Sequence, residues 1–222
     1  MYPRKILHFM SSQPPTLNTN THVTLQAPGA GIPWLEGQFA KMAVFTMAGL
    51  TSPEKSSQIF EKEQARILTL VEALSFEARN KQVLIARLPG LEDSSRYWSV
   101  WMVLSHLNQV NLGTLGNIQQ LVRGEIPTMT VRTEDVKPTL DKMAPSASQA
   151  LYQERNDPHV AAFQQACQHY LGTMQGLHHA LKTPCTLPHP WFGPMNAHQW
   201  HFMMGFHMGL HRKQIQSIVA GL

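Results

Sequence analysis

Apolar residues recur at steps of three and four through most of the chain, the spacing that places them on one face of an α-helix. A first helix is predicted from Ser52, a good N-cap. Pro53 suits the first helical position and Glu54 the positive end of the dipole. Phe60, Ile67, Val71 and Leu74 carry its apolar face, and the pattern runs to 88, where Pro89-Gly90 stops it. A second helix is predicted over 93–123. Its stretch YWSVWMVLSHL is apolar nearly all round and should be buried on most sides; Gly124 and Pro127 end it. The third helix has a seam of Val160, Phe163, Cys167, Tyr170, Met174, Leu177 and Leu181, and Pro184 closes it. Asn196 with Gln199 forms a capping box for a fourth helix that runs to Ala220 and Gly221. No alternating run bounded by hairpin turns predicts strands. Four helices of this length predict an all-α four-helix bundle.

The remaining segments are less regular. Residues 1–51 are rich in Pro, Thr, Asn and Gly and read as an irregular N-terminal arm. A short helix is expected over 34–48, and its apolar content (Trp34, Leu35, Phe39, Met42, Val44 and Phe45) implies that its later part packs on something. Residues 127–157 read as a long polar connection with a short helix near 146–154. The expected organisation is an extension over 1–51 and a bundle over 52–222.

Composition narrows the classes. Only 14% of the 222 residues are charged, against a usual share of about 25%. The net charge of +4 is spread with no basic run longer than two residues, so no nucleic-acid partner is expected. Cys167 and Cys185 form no CxxC and exclude a disulfide scaffold or a cysteine-rich zinc site. The longest apolar stretch, 42–50, contains Thr46 and falls far short of the roughly 20 residues that span a bilayer. The start, MYPRKILHFMSSQ, has an apolar core of about five residues, below the roughly 7–15 of a signal peptide. A soluble, cytoplasmic protein without a membrane partner is expected.

Histidine changes the picture. Nine of the 12 histidines follow Pro158, and the stretch 159–222 contains no Asp and no Glu. This half of the chain offers nitrogen ligands but no carboxylate. No Glu-x-x-His, HExxH, GxSxG, GxGxxG or GxxxxGK[ST] motif occurs, so di-iron, protease, serine-hydrolase and nucleotide-binding readings have no motif support. His207 and His211 stand at i and i+4, which sets their Cβ atoms about 5–6 Å apart on one helix face. They occupy the core seam Trp200, Met204, His207, His211, Gln214 and Ile218, beside Met208 and Ile215. A buried polar group without a partner costs roughly 1–3 kcal/mol, so two stacked imidazoles in a core seam need a reason. His106, on the apolar second helix, can supply it if the second and fourth helices are neighbours. Three imidazoles with an open position are the arrangement of a catalytic metal site. The pattern alone equally allows a core His106 bonded to a carbonyl and an exposed pair.

The other candidates carry less chemistry. His178 and His179 read as satisfied or exposed, His189 as a turn residue or a pocket rim, and His198 and His201 as solvent-facing at the start of the fourth helix. Trp98, Trp101 and Trp200 read as core, and Cys167 as a small buried apolar residue.

The segments SVWMVLSHLNQ and HPWFGPMNAHQWHFMMGFHMGLHRKQIQ resemble the DinB/YfiT-like superfamily of metal-dependent four-helix-bundle proteins, over roughly 53–220. The resemblance implies metal ligands at His106, His207 and His211, with Arg212 and Gln214 matching the tail of the family's last-helix pattern. The HPWFG element resembles that of an uncharacterised subgroup. The resemblance further implies a divalent metal ion and a small-molecule substrate; three imidazoles suit zinc, nickel, copper or iron, and zinc or nickel is expected. It points to a metal-dependent enzyme, a thiol-dependent transferase or hydrolase, with a low-molecular-weight thiol as a partner. The alternatives are a non-catalytic metal-binding or interaction module of the same fold and a plain helical scaffold. A homodimer is expected from the apolar helical seams. No catalytic acid or base is assigned; Glu125 and Asp93 are candidates only because carboxylates are scarce.

Overall fold

A computed structural model describes residues 24–127 and 157–222. The expected helix over 146–154 and the first part of the arm, 1–23, lie outside these residues. Four long helices make the body. They are α2 (Pro53–Glu72), α4 (Val100–Val122), α5 (Pro158–Leu177) and α6 (Ala197–Ala220). α2 packs along α6 and α5, and α4 packs between α5 and α6, which closes the ring. Each helix starts on a side-chain cap that satisfies first-turn amides. Ser52 Oγ accepts from the Lys55 N–H, Ser99 Oγ from Met102, and the Asp157 carboxylate from His159 and Val160. Asn196 and Gln199 exchange both capping-box bonds at 2.9 Å.

The interior is filled from all four helices. Phe60 and Ile67 of α2, Trp101, Leu104 and Leu107 of α4, Phe163, Tyr170 and Met174 of α5, and Met204, Met208 and Ile215 of α6 are buried. Phe60 stacks on Tyr170 with ring centroids 4.6 Å apart. Gly205 leaves room for α6 to lie close to α2. A Cβ there would lie 2.9 Å from Ile59 Cγ2 and 3.3 Å from the Phe60 nitrogen.

Two boundaries differ from the sequence expectation. The helix from Ser52 ends at Glu72 rather than at 88. Ser75 turns its hydroxyl onto the Ala78 N–H and caps a separate short helix, α3 (Phe76–Asn80), before the chain straightens into β1 (Val83–Leu84). The second long helix starts at Val100 rather than 93. Before it come a 3-10 turn (Asp93–Ser95) and β2 (Tyr97–Trp98), which pairs antiparallel with β1 as Val83–Trp98 and Leu84–Tyr97. The expected absence of strands is also corrected, because a second ribbon occupies the link before α6. There β3 (Thr186–His189) pairs with β4 (Gly193–Asn196), closed by Gly193 at φ +78°. Strands this short leave no periodic signal in sequence.

The latter part of the arm is helical. Helix α1 (Trp34–Leu50) rests on α6 and buries Val44 and Ala48, leaving Trp34, Leu35, Phe39, Met42 and Leu50 exposed. None of the described helices is long and apolar enough to cross a membrane.

Candidate metal centre

α4 and α6 are neighbours, and His106 of α4 meets His207 and His211 of α6. His207 Nε2 lies 3.3 Å from His106 Nε2 and 3.1 Å from His211 Nε2. One ligand atom from each ring falls within 4.8 Å of the others. His106 and His211 are buried at 8% and 3% exposure, and His207 is partly exposed with its Nδ1 buried. The i,i+4 spacing brings the α6 pair together, and the near-complete apolar surface of α4 carries His106 inward to them.

The orientation of one ring follows from hydrogen-bond chemistry. The Ser95 carbonyl can only accept, so the Gln214 amide nitrogen faces it at 2.7 Å. Gln214 Oε1 is thereby turned to His211 Nδ1, also at 2.7 Å, which must carry the ring proton. His211 Nε2 is left with its lone pair, 3.1 Å from His207 Nε2. A buried acceptor fixing the far nitrogen of an imidazole is the arrangement that orients a metal ligand.

The donor set fits a divalent ion. Nitrogen ligands at about 2.0–2.1 Å from a tetrahedral ion stand about 3.3–3.4 Å from each other, and the two Nε2–Nε2 separations of 3.3 and 3.1 Å lie close to that edge. Burial first, and then the neighbouring His211 and His106, holds His207 well below the usual histidine range. It is therefore neutral near pH 7, the form that ligates. Three imidazoles suit zinc, nickel, copper or iron, and nothing in the donor set selects among them.

The walls are aromatic. The Trp98 ring lies 5.4 Å from His106 and stacks nearly parallel to His211 at 6.4 Å. His189 ends β3, takes the Trp191 N–H on its Nδ1, and lies flat on Phe192 at 4.4 Å and beside Trp200 at 5.2 Å. It is thus held as a turn residue. Burial pushes it down to about 4, and its charge would oppose that of His207. Arg212 does not join the three rings. Its guanidinium pairs with Glu63 of α2, which also takes Arg66, and so fixes α6 against α2.

Other sequence candidates sit elsewhere. Asp93 accepts from Arg96 and from the Gln26 N–H, and Arg96 holds its carboxyl below the usual range. Glu125 is exposed and pairs with Arg123. Trp98, Trp101 and Trp200 are buried as expected. Cys167 is buried against Asn111, with its thiol pushed up to about 12. His179 is exposed. The solvent-facing expectation for His198 and His201 is overturned, because the first turn of α6 is covered by α2 and α5. His201 is fully buried and bonded on both ring nitrogens, and His198 is half-buried and bonded to the Thr51 backbone. Sequence reading missed Ser95, Trp98 as a wall of the site, and Glu63. A backbone carbonyl has no sequence signal, and Glu63 was one carboxylate among several on a solvent-rich helix.

Residues 59–215 match the sequence profile of the DinB superfamily. Among solved structures, TT2238, a four-helix bundle protein, is 18% identical; the match covers 74% of this chain and 98% of that one, with a TM-score of 0.44. No curated protein matches.

Proposed function

The chain belongs to the DinB superfamily, and on that footing we propose that it is a metal-dependent enzyme whose His106, His207 and His211 hold one divalent ion, zinc or nickel. The carrying observation is the approach of His106 Nε2 and His211 Nε2 to His207 Nε2 at ligand-edge spacing, with the His211 tautomer set by Gln214. A bound ion supplies Lewis acidity, polarising an electrophile or acidifying a water or thiol at its open position.

This chain's residues supply the rest. Gln214, anchored on the Ser95 carbonyl, keeps the His211 proton on Nδ1 and its lone pair inward. Trp98 lies against two of the three rings and limits water on that side. The Glu63–Arg212 pair sets the register of α6 against α2, and with it the height of His207 and His211. Three protein ligands leave room for a fourth, so a small electrophile with a low-molecular-weight thiol or water is the proposed substrate set.

Elemental analysis of purified protein, with His207→Ala beside it, tests the proposal. One ion per chain, lost in the variant, is the expected result, and an ion-free wild type contradicts it. Turnover of electrophiles with glutathione-like thiols is the further expectation. Metal binding without turnover of any thiol or ester supports instead a non-catalytic metal-binding module.

A further inference from the structure

A second polar constellation lies where α2, the end of α5 and the start of α6 meet. His201 and His207 are six positions apart on α6, roughly 9 Å along the axis and on different faces, so it is separate from the three-histidine centre. His201 Nε2 lies 3.1 Å from the Pro53 carbonyl and 3.1 Å from Ser57 Oγ, while its Nδ1 lies 2.9 Å from the Tyr170 hydroxyl. Ser57 Oγ is also 2.9 Å from His178 Nε2, and His178 Nδ1 is 3.7 Å from a Glu54 carboxylate oxygen.

The Pro53 carbonyl fixes the direction of this chain of bonds. It can only accept, so His201 Nε2 carries the proton. Burial pushes His201 down to about 4, so the ring is neutral and its Nδ1 accepts from Tyr170 O–H. Its Nε2–H also faces Ser57 Oγ, which therefore accepts there and sends its own proton toward His178 Nε2. With that nitrogen accepting, a neutral His178 presents Nδ1–H to Glu54. This is the polarity of a serine, a base and an acid that orients the base. The 3.7 Å separation is longer than a hydrogen bond, as such contacts often are before a substrate is bound. Ser57 is partly exposed and Glu54 lies open to solvent, so the group is reachable.

We propose that Ser57 is a nucleophile for small activated acyl esters, with His178 as its general base and Glu54 orienting that base. Ser57 Oγ bonds to the ester carbonyl carbon as its proton passes to His178 Nε2. The carbon–oxygen bond to the leaving group breaks, and His178 returns the proton to the departing alkoxide. Water then attacks the acyl-serine, giving its proton to His178, and the carboxylic acid leaves with Ser57 restored.

The test treats the whole folded protein with p-nitrophenyl acetate and with a fluorophosphonate, followed by peptide mass spectrometry, in the presence of a chelator. The expected result is a stoichiometric burst and a label on the peptide holding Ser57, unaffected by the chelator. Ser57→Ala removes the label. His178→Gln slows acylation by roughly 100-fold or more while the melting profile stays cooperative. No label on the wild type, a label on another residue, or an unchanged rate in His178→Gln overturns the proposal. Because the chelator strips the other centre, loss of metal chemistry and loss of acylation are read separately.

Discussion

Replacing Gln214 by leucine removes both halves of the device that orients His211. Leucine fills nearly the same volume but offers no acceptor to His211 Nδ1 and no donor to the Ser95 carbonyl, each now bonded at 2.7 Å. Gln214 is fully buried and Ser95 nearly so, so water does not readily replace the lost partners. Leaving a buried polar group unpaired costs about 1–3 kcal/mol, and the ion-free variant should lose stability on that scale. The His211 proton also becomes free to move to Nε2, where it blocks the lone pair. Loss of such an outer partner weakens metal binding about 10–100-fold, which is about 1.4–2.7 kcal/mol. Competition titration against a chromophoric chelator measures the affinity, and denaturant unfolding of the stripped protein measures the stability. Gln214→Glu sharpens the test. It keeps an acceptor for His211 but turns a second oxygen toward Ser95, so affinity should hold while stability falls. Wild-type affinity in the leucine variant would refute the claim that Gln214 sets the ligand tautomer.

Burial pushes His201 and His189 down to about 4, below the roughly 6.5 of an unfolded histidine. The unfolded chain then binds more protons between those values, so the stability each contributes is full above about pH 6.5 and is lost as the pH falls toward 4. Each is worth up to about 3 kcal/mol. Denaturation midpoints should drop through this window, less steeply in His201→Gln, and a flat wild-type profile contradicts the prediction. Ligand removal gives a further outcome: metal at about 100 times its Kd adds about 2.7 kcal/mol, or about 5–10 °C in Tm for a chain of this size, reversed by a chelator and absent in His207→Ala. Gly205→Ala should destabilise by about 1–3 kcal/mol, because its Cβ would press on Ile59 and the Phe60 backbone; an unchanged midpoint would show that α6 can move away from α2.

The long helices were legible in the sequence because each carries its own apolar period and its own cap. The α6 capping box was read from Asn196 and Gln199, and both of its bonds are present. His106, His207 and His211 were legible as polar residues at core positions, but that pattern also allowed a carbonyl-bonded His106 and an exposed pair, and it was the resemblance of the two segments that singled out the three together. The stretches 73–88 and 93–99 were read as parts of the two long helices because Leu74, Leu88 and Trp98 continue an apolar count on either side of Pro89-Gly90. The Ser75 and Ser99 hydroxyl bonds, a 3-10 turn and a two-residue ribbon divide them from the long helices. His201 was misplaced because periodicity assigns it to a helix face but not to what covers that face. The cover comes from Pro53, Ser57 and Tyr170, which are 148, 144 and 31 positions away. The Gln214–Ser95 bond spans 119 positions and ends on a backbone carbonyl, so no side-chain pattern could announce it.

The central claim is that three ring nitrogens share one ion. Anomalous-scattering maps from crystals of the protein, collected on both sides of the absorption edges of zinc and nickel, test it most directly. The account predicts one peak per chain within about 2.0–2.2 Å of Nε2 of His106, His207 and His211, and the edge that lights it names the element. Crystals grown with added metal that show no peak among these rings, or a peak held by other residues, would contradict it.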